Sequence, residues 1–153
     1  MEELLAELDV EWEATGPSSY VVTLPGEHKL KTLCNLILED HALRVEAFVV
    51  RNPEQNHEQL WRLLLRRNAS MYAVAFTVDE HGDVYLMGRV PRGGLDAAEL
   101  DRILGAVLSY ADGVFDLALE IGFTESIRRE WAWRLTRGES TRNLAAFEHL
   151  KPQ

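Results

Sequence analysis

The sequence holds a single cysteine, Cys34, in 153 residues, so no disulfide can form within the chain. Cys34 sits in an apolar, strand-like run and reads as a small core residue, not a reactive thiol. Basic residues are in the minority, with 16 Lys and Arg against 25 Asp and Glu, a formal net charge of −9. That balance argues against nucleic acid as a partner, because such a partner needs a basic face. No apolar run approaches the roughly 18–20 residues of a membrane span. The acidic N-terminus has neither the basic n-region nor the apolar h-region of a signal peptide. The expectation is a cytoplasmic protein without membrane contact.

Motifs that carry chemistry are absent too. The histidines, His28, His41, His57, His81 and His149, include no pair at i, i+4 and no Cys/His cluster, so no metal site is expected. Asp79, His81 and Asp83 superficially resemble a cation loop, but the segment is too short for an EF-hand. No serine lies in a Gly-x-Ser-x-Gly elbow. Gly93-Gly94 is not followed by the Gly-Lys-Ser or Gly-Lys-Thr of a phosphate loop. Asp112 and Asp116 stand four apart in a helical pattern, where two acids usually form a wet face and not an acid–base couple. No enzyme site and no cofactor are expected.

What is present is an ordinary globular composition, 46% hydrophobic and 27% charged, at a length suited to one domain over residues 1–153. Leu4, Leu5, Leu8 and Trp12 at helical spacing, with glutamates opposite, predict an acidic amphipathic helix within residues 1–14. That stretch nets −6, whereas residues 123–153 net +2. Strands are predicted at 20–24, 29–38 and 42–50, the last with Leu43, Val45, Ala47 and Val49 alternating with Arg44, Glu46 and Phe48. Asn52-Pro53-Glu54-Gln55 reads as a helix start, with Leu60, Trp61, Leu64 and Leu65 as an apolar stripe reaching about Asn68. Strands at 71–79 and 84–90 flank a polar turn, a strong hairpin signal. A long helix capped by Asp96 runs to about residue 121, with Gly113 as a candidate kink. Gly122 reads as a C-cap, Thr124 as the next N-cap, and 125–136 as a helix with Ile127, Trp131 and Leu135 on one face. A short helix at 144–150 lies in a tail spanning 137–153.

The expected architecture is therefore α+β: a five-stranded antiparallel sheet with helices on one face, order αβββαββα plus a C-terminal helical tail. One cluster combines basic and aromatic residues: Arg128, Arg129, Trp131, Trp133 and Arg134. Trp131 fits the apolar stripe. Trp133 lies about 200° further round an ideal helix at roughly 100° per residue, so it meets the tail, another subunit or a protein partner. Trp and Arg are enriched in binding hot spots, and Arg128, Arg129, Trp133 and Arg134 are the candidate partner-binding residues.

The run Ser126-Ile127-Arg128-Arg129-Glu130-Trp131-Ala132-Trp133-Arg134, followed by Arg137-Gly138-Glu139-Ser140-Thr141-Arg142-Asn143-Leu144, resembles the bacterial YbjN domain family, a family labelled as sensory transduction regulators. Pro53-Glu54-Gln55-Asn56-His57-Glu58 with Leu64-Leu65-Arg66-Arg67-Asn68 resembles its central helix, and Asp83-Val84-Tyr85-Leu86 its last strand. The resemblance spans roughly residues 19–147 and implies a fold similar to type III secretion chaperones, small acidic dimers that bind proteins without catalysis. It implies a non-enzymatic protein-binding module, regulatory or chaperone-like, with a homodimer among the options. The alternative is a small-anion or metabolite binder, or an enzyme, whose pocket gathers Asn56 and His57 with Arg128 and Arg129.

Overall fold

The computed structural model describes all residues from Met1 to Gln153. Helix α1 (Glu2–Glu7) leads into β1 (Glu11–Gly16), β2 (Ser19–Pro25), β3 (Lys31–Leu38) and β4 (Ala42–Val50). Helix α2 (His57–Asn68) precedes the hairpin of β5 (Ala75–Val78) and β6 (Val84–Pro91). Helices α3 (Ala97–Gly122) and α4 (Thr124–Arg137) follow, and a 3₁₀ segment closes the chain at Arg142–Leu150. The sheet has six strands in the order β1-β2-β3-β4-β6-β5, and every neighbouring pair is antiparallel.

The sixth strand is a correction to the five expected, and it comes out of the N-terminal helix. That helix ends at Glu7 instead of near residue 14; Asp9 turns with φ 53°, and Trp12 then pairs with Val22 on β2. Residues 10–14 fit both periods: Val10, Trp12 and Ala14 alternate with Glu11 and Glu13 as a strand would. Ladder bonds to β2 and an edge-to-face contact of Trp12 with Tyr20, centroids 5.9 Å apart, settle the competition for the strand.

One face of the sheet is built from Tyr20, Val22, Leu24, Cys34, Leu36, Leu43, Val45, Ala47, Val84 and Leu86, all buried. Helix α3 lies against β2, β3 and β4 and contributes Leu100, Ile103, Val107, Ala111 and Val114 to the same core. Gly113 does not interrupt α3, which runs continuously across it with Ala111 and Val114 on either side fully buried. Asp96 caps α3 as expected, accepting the Glu99 N–H at 2.8 Å. Asp112 and Asp116 do more than form a wet face: they clamp the β2–β3 loop. Asp112 Oδ1 accepts the N–H groups of His28 and Lys29, each at 2.9 Å, and Asp116 meets the His28 ring at 2.8 Å.

Helix α2 starts at His57, later than Asn52-Pro53 suggests, because the polar groups of 52–56 are engaged elsewhere. Asn52 donates its N–H to Asp83 and its side-chain amide to the His81 carbonyl. The N–H groups of Glu54 and Gln55 both reach the Gly122 carbonyl. The segment thus bridges the β5–β6 turn to the α3–α4 elbow. A Cβ at Gly122 would lie 2.7 Å from Pro53 Cβ, so the close approach needs glycine there. The helix break itself falls at Phe123, a buried side chain, and not at a glycine cap.

Candidate functional site

Helix α4 carries the residues that the sequence marked, and the structure sorts them. Trp131 is 1% exposed and donates its indole N–H to the Phe147 carbonyl at 3.0 Å. Leu144 and Phe147 of the 3₁₀ segment are buried with Ile127 in the same core. Leu135, expected beside them, is 44% exposed. The tail is thus the structural cover of α4's inner side, held further by His149 against Glu120 at 2.5 Å.

The four candidate partner-binding residues do not share one face. Arg134 is consumed by structure, reaching Glu130 at 2.6 Å and the Ser140 carbonyl at 2.8 Å. Arg128 pairs with Glu125 at 3.3 Å on the other side of the helix. Arg129 and Trp133 share a stripe with Ser126, Glu130 and Arg137, at i, i+3, i+4, i+7 and i+11. Trp133 is 47% exposed, and the Arg137 guanidinium, which sequence reasoning left out, stacks 4.9 Å from its ring centroid. A shallow depression of about 490 Å³ lies along this stripe, lined by Ser126, Arg129, Glu130 and Trp133.

The candidate anion-binding side chains are engaged within the chain. The Asn56 amide donates to the Ile121 carbonyl at 2.9 Å, and the His57 ring meets Asn52 Oδ1 at 3.2 Å. Arg129 donates to the Ser126 hydroxyl at 2.9 Å. Ser126 in turn bonds Glu54, whose carboxyl is held below its ordinary range by that hydrogen bond and by Arg51 and Arg129 nearby. Each donor has a protein partner, and together they hold the elbow. No group of three or more His, Cys, Asp or Glu side chains could hold a metal ion. Cys34 is buried on β3, and burial pushes its thiol up to about 12, so it stays protonated and unreactive at neutral pH.

A second surface was missed. On α2, Leu60 and Leu64 point into the core, but Leu65 is 68% exposed and Trp61 half-buried. The sequence placed all four on one stripe; an apolar arc wider than one contact can cover leaves part of it outside. No helix is long and apolar enough to cross a membrane.

Three kinds of comparison bear on this geometry. The sequence model of the YbjN family, described as "Putative bacterial sensory transduction regulator", matches residues 1–120. The uncharacterized protein Rv0487 of Mycobacterium tuberculosis is 52% identical over 136 residues, covering 89% of this chain and 74% of that one. The uncharacterized protein ML2442 of Mycobacterium leprae is 49% identical over 130 residues, covering 85% and 71%. Because these matches are longer than residues 1–120, the mycobacterial relatives share part of α4 or the tail, which the family match does not reach. Among solved structures, a chain of the ExoU-SpcU complex from the type III secretion system of Pseudomonas aeruginosa superposes with TM-score 0.58 at 15% identity, covering 76% of this chain and 96% of that one. A chain of the Yersinia pestis type III secretion chaperone SycH in complex with a YscM2 fragment gives TM-score 0.54 at 18% identity, covering 72% and 92%. These likenesses establish a shared fold.

Proposed function

The chain belongs to the YbjN family, and from that premise we propose that it is a non-enzymatic protein-binding module, regulatory or chaperone-like, acting in the cytoplasm. The observation that carries this reading is a fold, shared with a type III secretion chaperone, that presents the exposed Trp133–Arg137 stack on α4. The structural neighbours include a type III secretion chaperone in complex with a YscM2 fragment and chains of a chaperone–effector complex and of a heterodimeric complex. The α4 stripe of Arg129, Trp133 and Arg137 supplies the rigid aromatic and planar cation that dominate binding hot spots. Arg128 and Arg134 stay in the proposal as neighbours that set the local charge. A homodimer is compatible with this fold and enters as one possible partner state.

Affinity capture from native extract, with wild-type bait beside a Trp133→Ala bait, tests the reading. The expected result is a protein retained by the wild type and lost from the variant, with both baits melting at nearly the same temperature. Equal capture by both baits removes the α4 stripe from the proposal. A thermal-shift screen with phosphorylated metabolites tests the alternative; stabilisation at millimolar ligand, abolished by His57→Ala, would favour it.

A further inference from the structure

The outer side of α2 exposes basic and apolar side chains together, among them Arg62, Leu65 and Arg66. Arg62 and Arg66, spaced i, i+4, form a ridge between two clefts. One cleft, about 430 Å³, opens toward α3 and is floored by Leu63, Leu117 and Ile121. The other, about 390 Å³, lies over Trp61 and Leu65. Arg62 and Arg66 line both, with Glu58 at one end of each. Leu65 is 68% exposed and Leu117 36%, so apolar surface is offered on each side of the ridge.

Charge selects the occupant. The chain as a whole nets −9, yet α2 carries Arg62, Arg66 and Arg67 against one acid, Glu58. Arg62 pairs with Glu58 at 2.7 Å, while Arg66 and Arg67 make no ion pair. A basic ridge favours an acidic partner and repels the same basic ridge of a second copy across a two-fold axis. Geometry selects its form. An α-helix surface offers no unpaired backbone groups to a strand, but its i, i+4 ridge fits the groove of a second helix laid 8–10 Å away.

We infer that α2, with the end of α3, is a docking groove for an acidic amphipathic helix of a protein partner, seated on Trp61, Arg62, Leu65, Arg66, Leu117 and Ile121. This inference rests on the protein-binding reading and gives it a site and a partner chemistry.

The test uses the full chain, labelled with ¹⁵N, and a synthetic helical peptide of roughly 18 residues, five turns. The peptide carries Leu at i, i+3, i+4 and i+7 repeats with Glu on both flanks. The expected result is amide shifts confined to residues 57–66 and 117–121. Affinity should fall at least about tenfold for Arg62→Glu with Arg66→Glu, for Leu65→Ser, and for a peptide with Lys in place of Glu. Arg62→Gln with Arg66→Gln, which introduces no new charge, should give an intermediate loss. Shifts elsewhere, or equal binding of the Lys peptide, would overturn the inference. So would absence of binding at millimolar peptide. Sedimentation of the wild type as a dimer that Leu65→Ser dissociates would assign the groove to a second copy. Flotation with phosphatidylserine vesicles, lost in the Arg62/Arg66 variants, would assign it to a membrane. If the peptide fails while the Trp133-dependent capture holds, the protein-binding reading stands and only the α2 site falls.

Discussion

Helices α2 and α4 flank the same end of α3, and both show arginines and a tryptophan to solvent, yet they differ in how those groups are held. On α4 each guanidinium has a partner within the chain: Arg128 on Glu125, Arg129 on Ser126, Arg134 on Glu130 and the Ser140 carbonyl, and Arg137 on the Trp133 ring. On α2, Arg66 is left without an ion pair and sits between two apolar clefts. The inner sides differ as well. Helix α2 packs Leu60 and Leu64 into the sheet core, whereas α4 packs Trp131 beneath the chain's own C-terminal segment. A cluster that stands out in sequence can be structural, and a quieter one can be the open surface.

The largest effect should come from the inner sides. Trp131→Ala is expected to cost about 3–5 kcal/mol and Leu60→Ala about 2–5 kcal/mol. The two should separate by location. Hydrogen exchange should show Trp131→Ala opening residues 142–150 first, because that segment packs on the indole and accepts its N–H at the Phe147 carbonyl. Leu60→Ala should loosen the molecule as a whole. Uniform loosening in both variants would mean that the tail is part of the main cooperative unit.

Gly122→Ala probes the joint between the two helices. In an exposed helix this change gains about 1 kcal/mol. Here the new methyl would meet Pro53 Cβ at 2.7 Å, a contact in which neither partner is a flexible side chain. A loss of about 1–3 kcal/mol is expected from denaturant titration. A gain would show that the 52–56 bridge moves aside freely.

Much of the fold was legible because its signals were local. The alternation at 42–50, the polar turn between β5 and β6 and the Asp96 cap each involve neighbours in sequence. The bridge was not legible: Asn52 and Pro53 make a good helix start by every local rule, and only Gly122, far along the chain, explains why they decline it. The same holds at Trp12, where helical and strand periods coincide and β2 decides. At the candidate site, the buried Trp131 and the exposed Trp133 followed from helical periodicity. The roles of Arg134 and Asn56 did not, because the Ser140 and Ile121 carbonyls they bind are backbone groups with no residue signature.

A smaller effect should appear in acid. Glu54 links the α2 entry to α4 through Ser126, and its carboxyl titrates below the ordinary value of 4.5. A group with a depressed folded pKa stabilises above its unfolded pKa, and that contribution fades as pH falls through the folded value. Below about pH 4.5 the α3–α4 elbow should therefore lose exchange protection before α2 does. Glu54→Gln should remove that difference in pH dependence. Equal protection losses in the wild type would show that the bridge rests on its backbone bonds to Gly122 alone.

The smallest stability effects should be those of Leu65→Ser on α2 and Trp133→Ala on α4, each within about 0.5 kcal/mol by thermal melting. This pair gives the sharpest test of the comparison because both side chains are large, apolar and exposed. Leu65 touches little that it would miss. Trp133 carries the Arg137 guanidinium on its ring, and that contact adds only about 0.5–1 kcal/mol at an exposed site. If Trp133→Ala melts measurably earlier while Leu65→Ser does not, the α4 stripe is chiefly a stacking contact that steadies the end of its own helix, and the case for an open binding surface passes to α2. If neither moves, both surfaces are free of structural duty, and binding alone remains to account for a tryptophan and a leucine held out in water.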